Sequence, residues 1–375
     1  MKKIVFITGT RADYGKLKSL MKRVDESNNF EAYIYVSGMH LIEKLGYTYN
    51  EILNDNYKNV YVAYGLAGTQ EASYNLGDVI CNLTGYILNI KPDMIVVHGD
   101  RIDALAGAVV GALNNIIVAH IEGGELSGTI DESIRHAISK LAHIHFACNE
   151  EAKKRLIQLG EKADRIFVIG SPDIDIMLSD YLPSMDDIKK RYGINYSQYG
   201  ILMYHPVTTE YNNAHHNIQQ VVNAVLNSNL NYVVIYPNND LGYELILNEY
   251  KRFNNNSKFK IFPSLRFEYF LTLLKNAQFM IGNSSAGVRE TSIYGVPAID
   301  IGTRQNNRYR LVDSNIQHTN YDEDEILQAI LNTDLYKKNS MLFGDGNSTE
   351  RFMDIISHYD IWSSNLQKTF VDFKF

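Results

Sequence analysis

The amino-acid sequence predicts an α/β protein built from two doubly wound domains, and three features of its patterning carry that reading. Short runs of about four to eight apolar, β-branched and aromatic residues alternate with amphipathic stretches along most of the chain. The alternation breaks once, over roughly 170–184, and then restarts. At 375 residues the chain also exceeds what one hydrophobic core usually organises.

In the first half the runs fall at 4–8, 31–37, 94–98, 116–120, 143–148 and 166–170. They are apolar almost throughout, the pattern of strands covered by helices on both faces of a parallel sheet. Met1-Lys2-Lys3 ahead of Ile4-Val5-Phe6-Ile7 has the look of a signal peptide, but the run stops at Thr8-Gly9-Thr10-Arg11. A first buried strand and a cytoplasmic location are expected instead. After Gly170-Ser171-Pro172 and Leu182-Pro183-Ser184, runs at 200–205, 232–236, 258–262, 279–282 and 298–301 set out a second domain. The expected domains are 1–172 and 173–350, followed by a C-terminal segment and tail over 351–375 with helical character around 350–357. Two such domains facing each other would bring the C-terminal ends of both sheets to a central cleft, where open α/β sheets bind ligands.

Composition excludes several classes. A formal charge of −7 argues against a general nucleic-acid binder, which needs a basic face for phosphates, yet leaves room for a small anion held by a few arginines. No run approaches the roughly 20 apolar residues of a membrane span, so no membrane partner is expected. Cys81 and Cys148 stand far apart without a Cys-x-x-Cys pattern, giving neither a disulfide framework nor a thiolate zinc site. His143-x-His145 and His215-His216 match no catalytic metal pattern and read as structural histidines, so no metal is expected.

The candidate chemistry lies where strands end. The first strand runs into Thr8-Gly9-Thr10-Arg11-Ala12-Asp13-Tyr14-Gly15, a glycine-containing turn ahead of a helix expected to start near Lys16; it can aim backbone N–H groups at an anion or be an ordinary tight turn. It is neither a dinucleotide fingerprint nor a Walker loop. The strand at 94–98 ends in Gly99-Asp100-Arg101, with a helix-capping Asp as the plain alternative. The next strand delivers Glu122 into a segment dense in acids, glycines and hydroxyls that reaches Asp131 and Arg135, which stand four apart as a surface ion pair would. Three carboxylates, Asp100, Glu122 and Asp131, therefore converge from adjacent strand ends, and mutual proximity can separate their proton affinities for acid and base work.

In the second half, His205 and Asn238 follow two strand ends. Asn283-Ser284-Ser285 opens a helix as a diphosphate site would, although either serine can be a plain cap. Glu290 is expected one to two turns inside that helix, and Arg304 and Arg308 offer guanidinium groups to phosphate.

Taken in order, Ile7-Thr8-Gly9-Thr10-Arg11-Ala12-Asp13, His98-Gly99-Asp100-Arg101, His120-Ile121-Glu122-Gly123-Gly124-Glu125, His205-Pro206-Val207-Thr208-Thr209, Gly282-Asn283-Ser284-Ser285 and Gly302-Thr303-Arg304-Gln305 resemble the hydrolysing UDP-N-acetylglucosamine 2-epimerases of sialic acid and capsule polysaccharide synthesis over nearly the whole chain. The resemblance implies the GT-B arrangement of two facing Rossmann-like domains, a UDP-sugar substrate, no cofactor, and a homo-oligomer, dimer or tetramer. It makes Asp100, Glu122 and Asp131 the catalytic carboxylates and Arg11, Arg101, His205, Asn238, Ser284, Ser285, Glu290 and Arg304 the contacts to the nucleotide diphosphate. The implied reaction expels UDP while a carboxylate removes the C2 proton, forming a glycal that is then hydrated to free N-acetylmannosamine. A sister group acts on UDP-N,N′-diacetylbacillosamine, and a non-hydrolysing group returns the epimeric UDP-sugar. Ser285-Ala286-Gly287-Val288-Arg289-Glu290 and Ser348-Thr349-Glu350-Arg351-Phe352 look more like the sialic-acid enzymes, which favours UDP-N-acetylglucosamine.

Overall fold

The computed structural model describes residues 1–64, 71–309, 311 and 314–372. Two compact units form: one from Met1–Glu125, Asp131–Ser179 and the chain from Leu342 onward, the other from Leu126–Ile130 and Asp180–Met341.

The first unit holds a seven-stranded, wholly parallel sheet of β1 (Lys2–Thr8), β2 (Phe30–Val36), β3 (Val60–Val62), β4 (Met94–His98), β5 (Ile117–Ile121), β6 (Ile144–Ala147) and β7 (Ile166–Val168), in the order β3-β2-β1-β4-β5-β6-β7. Successive side chains of one strand serve opposite faces: Ile4 and Phe6 enter one buried cluster, Val5 and Ile7 the other. Hence the strands read as unbroken apolar runs. The sheet order reverses between β1 and β4, so the ends of β1, β4 and β5 present their loops at and beside this switch point.

The second unit repeats the plan with six parallel strands, β8 (Gly200–Met203), β9 (Tyr232–Ile235), β10 (Phe259–Phe262), β11 (Phe279–Gly282), β12 (Ala298–Ile301) and β13 (Ile316–Thr319), ordered β10-β9-β8-β11-β12-β13. Its switch point lies between β8 and β11.

The units divide at 179/180 and 341/342, where the sequence reading placed 172/173 and 350/351. The helix Asp173–Met177 stays with the first unit because Asp173 is buried against Lys16 of the helix Arg11–Asp25, Nζ to Oδ2 2.6 Å. The Phe343 carbonyl accepts from the Ser171 N–H at 2.7 Å, which draws the returning chain onto the same unit. The helix Ser348–His358 then sinks Phe352, Ile355 and Ile356 into the first core, and Trp362 stacks on Phe30 with ring centroids 5.9 Å apart. Among the described residues no helix is long and apolar enough to cross a membrane.

Candidate active site

The expected βα turn after β1 takes a different form. Thr10, not a residue near Lys16, caps the helix, which begins at Arg11: the Thr10 Oγ1 accepts from the Asp13 N–H at 3.2 Å, and the Asp13 carboxylate accepts from the Gly9 and Thr10 N–H groups at 3.0 Å each. These amides are spent on the chain's own carboxylate, so the anion-cradle reading of Gly9 and Thr10 gives way to a capping box. Starting the helix five residues earlier brings Lys16 onto its buried face. Arg11 pairs with Glu51 of the helix Tyr49–Asn54.

Asp100 does not cap the helix Ile102–Leu113, whose cap position is Arg101. Its carboxylate instead forms an ion pair with Arg135, a guanidinium only 1% exposed that also donates to the Glu125 carbonyl at 3.0 Å. Arg135 stands one turn beyond Asp131 in the helix Ile130–Leu141, so one side chain ties the Asp100 turn to the helix whose first turn carries Asp131. Asp131 is partially exposed in that first turn.

Glu122 is 3% exposed and adopts φ +63°, a left-handed conformation that costs a non-glycine residue on the order of 1 kcal/mol or more. Surrounding contacts hold it there. His98 Nε2 lies 3.0 Å from its Oε2, Lys16 Nζ 3.9 Å from its Oε1, and the Ser171 hydroxyl bridges it to Asp173. Two buried carboxylates thus share one lysine and one serine. A buried charge needs such partners to stay in place.

Four residues of this cluster, Lys16, His98, Ser171 and Asp173, were not singled out by the sequence reading. A signal existed for Lys16: it falls among Tyr14, Leu17, Leu20 and Met21 on the apolar face of its helix, where a lysine needs a buried partner. Ser171 and Asp173 follow the last strand of the sheet, a position like that of Asp100 and Glu122. His143 and His145 are structural as expected: the His143 Nδ1 accepts from the Val118 N–H at 3.0 Å, and His145 Nε2 meets Glu161 at 3.0 Å.

In the second unit, the ends of β8 and β11 flank the switch point and interlock. The His205 N–H donates to Asn283 Oδ1 at 2.7 Å, and Asn283 Nδ2 donates to the His205 carbonyl at 2.9 Å. The Asn238 N–H, at the end of β9, donates to His205 Nδ1 at 3.0 Å, so the neutral ring carries its proton on Nε2. Asn238 Nδ2 is held by Asp240 Oδ2 at 2.6 Å. The Asn283 carbonyl accepts from Arg304 at 3.2 Å and from Gln305 at 2.9 Å. Close strand approach dictates Gly282: with φ +137°, a Cβ there would stand 2.0 Å from the Met203 carbonyl oxygen.

The helix expected from Ser284 onward is broken in two. Ser284 Oγ accepts from the Ala286 N–H at 3.3 Å and caps a single 3-10 turn, Ser285–Gly287; a separate short helix follows over Glu290–Tyr294. Glu290 therefore opens its helix rather than lying one to two turns within it, and is 4% exposed. Glu210 was also missed: it accepts from the Tyr321 hydroxyl at 2.9 Å and from the Thr303 hydroxyl, bracing the loop that carries Arg304.

The first unit thus carries Asp100, Glu122 and Arg101 just after strand ends and Arg11 and Asp131 in the first turns of helices, and the second carries His205, Asn238, Ser284, Ser285 and Arg304 after strand ends and Glu290 at the start of a helix. A family model described as UDP-N-acetylglucosamine 2-epimerase matches residues 22–357. The chain belongs to the UDP-N-acetylglucosamine 2-epimerase family. It is 47% identical, over 99% of both chains, to a UDP-N-acetylglucosamine 2-epimerase of Neisseria meningitidis serogroup B. It is 35% identical, over 98% of this chain and 99% of the other, to a hydrolyzing UDP-N,N′-diacetylbacillosamine 2-epimerase of Legionella pneumophila. The two-domain α/β fold matches the GT-B-like crystal structure of a Neisseria meningitidis UDP-GlcNAc 2-epimerase bound to UDP-GlcNAc, with TM-score 0.79, 17% identity and coverage of 94% and 99%. This epimerase family member is thus an enzyme of nucleotide-sugar chemistry.

Proposed function

We propose that the enzyme hydrolyses UDP-N-acetylglucosamine with inversion at C2, giving UDP and free N-acetylmannosamine. The observation that carries this reading is the gathering of three carboxylates on one unit: Asp100 and Glu122 at the ends of β4 and β5, and Asp131 at the head of the helix whose Arg135 holds Asp100. The relative at 47% identity, named for UDP-N-acetylglucosamine, supports the sugar. The hydrolyzing relative at 35% identity supports release of UDP.

Three acids suit this reaction. The C2 proton of the sugar is barely acidic, so the C1–O bond to UDP lengthens towards an oxocarbenium-like state as a carboxylate takes that proton. UDP leaves with the bonding electron pair, and a C1–C2 double bond forms. Water then adds: its oxygen bonds to C1, and a proton arrives at C2 from the opposite face. Two proton transfers on two faces require more than one positioned group, each supplying about 10²–10⁴ in rate. In the second unit, the Nε2–H of His205, the Ser284 and Ser285 turn and Arg304 are assigned to the charge that builds on the departing diphosphate, and Asn238 and Glu290 to further nucleotide contacts; Arg11 and Arg101, in the first unit, are assigned to the diphosphate by the family resemblance alone.

The second reading, the diacetylated 6-deoxy sugar, keeps the same chemistry and is favoured by the Legionella relative. The two sugars differ at C4 and C6, and a site built around a hydroxyl discriminates strongly against its absence. Comparison of kcat/KM for both UDP-sugars, with the nucleotide product identified, is the test. A preference of more than about tenfold for the diacetylated sugar, roughly 1.4 kcal/mol of transition-state discrimination, replaces the substrate. Formation of an epimeric UDP-sugar without free UDP replaces the hydrolytic reading.

A further inference from the structure

We infer that His120 is a positioning residue whose imidazole ties the segments bearing Asp100, Glu122 and Asp131 into one register. The inference rests on the proposed reaction and deepens it.

His120 lies on β5, two residues before Glu122, and its side chain is wholly buried. Its Nε2 sits 2.8 Å from the carbonyl oxygen of Gly99. A carbonyl only accepts, so Nε2 carries the hydrogen. Its Nδ1 then has a lone pair, and it accepts from the Ser139 hydroxyl at 3.1 Å. Burial pushes the ring's proton affinity down to about 3, so it stays neutral across the working pH range. With both nitrogens engaged and no charge to give, the ring has no part in proton transfer to substrate.

Its contacts are what matter. Gly99 immediately precedes Asp100, and its own N–H donates back to Ile121 on β5 at 3.0 Å, so the Asp100 turn is held to β5 from two directions. Ser139 is buried in the helix Ile130–Leu141, whose first turn holds Asp131 and whose Arg135 grips Asp100. The ring is therefore the common point of three segments, each delivering one carboxylate. Close packing at Gly123 shows how tightly it is set: a Cβ there would meet the His120 Nδ1 at 2.8 Å and the Ser139 Oγ at 3.0 Å. From the far end, Lys368 Nζ donates to the Ser139 carbonyl at 3.2 Å, bracing the last turn of the helix against the C-terminal tail.

Deprotonation on one face of C2 and reprotonation on the other need two carboxylates in register; loss of register lets the glycal leave before water adds. The experiment compares His120→Asn and His120→Gln with the wild-type enzyme, measuring kcat, KM and the share of product released as glycal, per folded active site. Asparagine places an acceptor near Nδ1 but loses the donor to Gly99, whereas the glutamine amide nitrogen reaches the Nε2 position. The expected result is a fall in kcat of about 10²-fold for His120→Asn, with KM within about threefold and free glycal in the products, and recovery to within about tenfold of wild type in His120→Gln. Wild-type rate and product ratio in His120→Asn, or equal losses in both variants without glycal, overturn the inference. Should His120→Asn not fold, Ser139→Ala removes one hydroxyl alone: glycal release is expected there, and a wild-type product ratio overturns the inference. A wild-type enzyme that releases no UDP refutes the functional reading instead, so the two failures are distinct.

Discussion

Replacing Glu122 with glutamine separates chemistry from folding more cleanly than any other change at the site. The side chain keeps its volume, its φ of +63° is left in place, and its carbonyl still accepts from the Ser171 hydroxyl. Lys16 keeps Asp173 at 2.6 Å, so no cation is stranded. The cost to stability is one weakened buried polar contact, about 1–3 kcal/mol, which leaves the protein folded. The cost to catalysis is a proton-transfer group, about 10²–10⁴ in rate, or roughly 3–5 kcal/mol of barrier. The assay is initial UDP release at saturating UDP-N-acetylglucosamine, with a thermal melt and UDP calorimetry on the same sample. Turnover down by at least about 10²-fold with a melting point within a few degrees and unchanged UDP affinity is expected. Activity within about tenfold of wild type would falsify the assignment of Glu122 to proton transfer.

Asp100→Asn and Asp131→Asn are each expected to lower turnover by at least about 10²-fold, and near-normal UDP release in either removes that residue from the site. Arg304→Ala is expected to weaken UDP binding, as loss of a charge-assisted contact to the diphosphate, and unchanged affinity by calorimetry contradicts that role. For Glu161, burial alone would raise the carboxyl, but hydrogen bonds from His145, Lys140 and Lys368 outweigh it and hold the group at about 2 against an ordinary 4.5. Because the folded value is depressed, its contribution of about 3 kcal/mol is full above pH 4.5 and lost as pH falls towards 2. The stability gap between wild type and Glu161→Gln in urea unfolding should close over that window, and a gap constant from pH 7 to pH 3 contradicts the assignment.

The parts of the fold that repeat a local pattern were readable in the sequence. Eleven strands were expected from continuous apolar runs, and each lies in a parallel sheet at or within about two residues of the expected place, because burial on both faces leaves no alternation to misread. The two strands not anticipated, Val60–Val62 and Ile316–Thr319, are edge strands, short and partly polar, with Tyr61 and His318 turned to solvent. The site residues at strand ends were legible for the same topological reason. What the sequence concealed are partners brought in from far along the chain: Asp173 reaches Lys16 across 157 residues, and Lys368 reaches Glu161 across 207. No local period encodes such pairs. The Thr10 capping box is legible in Thr10-x-x-Asp13, yet the same residues leave an anion-binding turn and an ordinary tight turn both open, since each wants small polar residues before a helix.

The central claim is hydrolysis with inversion at C2 through a glycal, and proton NMR of UDP-N-acetylglucosamine with the enzyme in D2O tests it most directly. The account predicts free UDP in step with free N-acetylmannosamine carrying deuterium at C2, because the abstracted proton exchanges with solvent before the opposite face is reprotonated. An epimer that retains the substrate's own C2 proton, or conversion to UDP-N-acetylmannosamine without release of UDP, would contradict it.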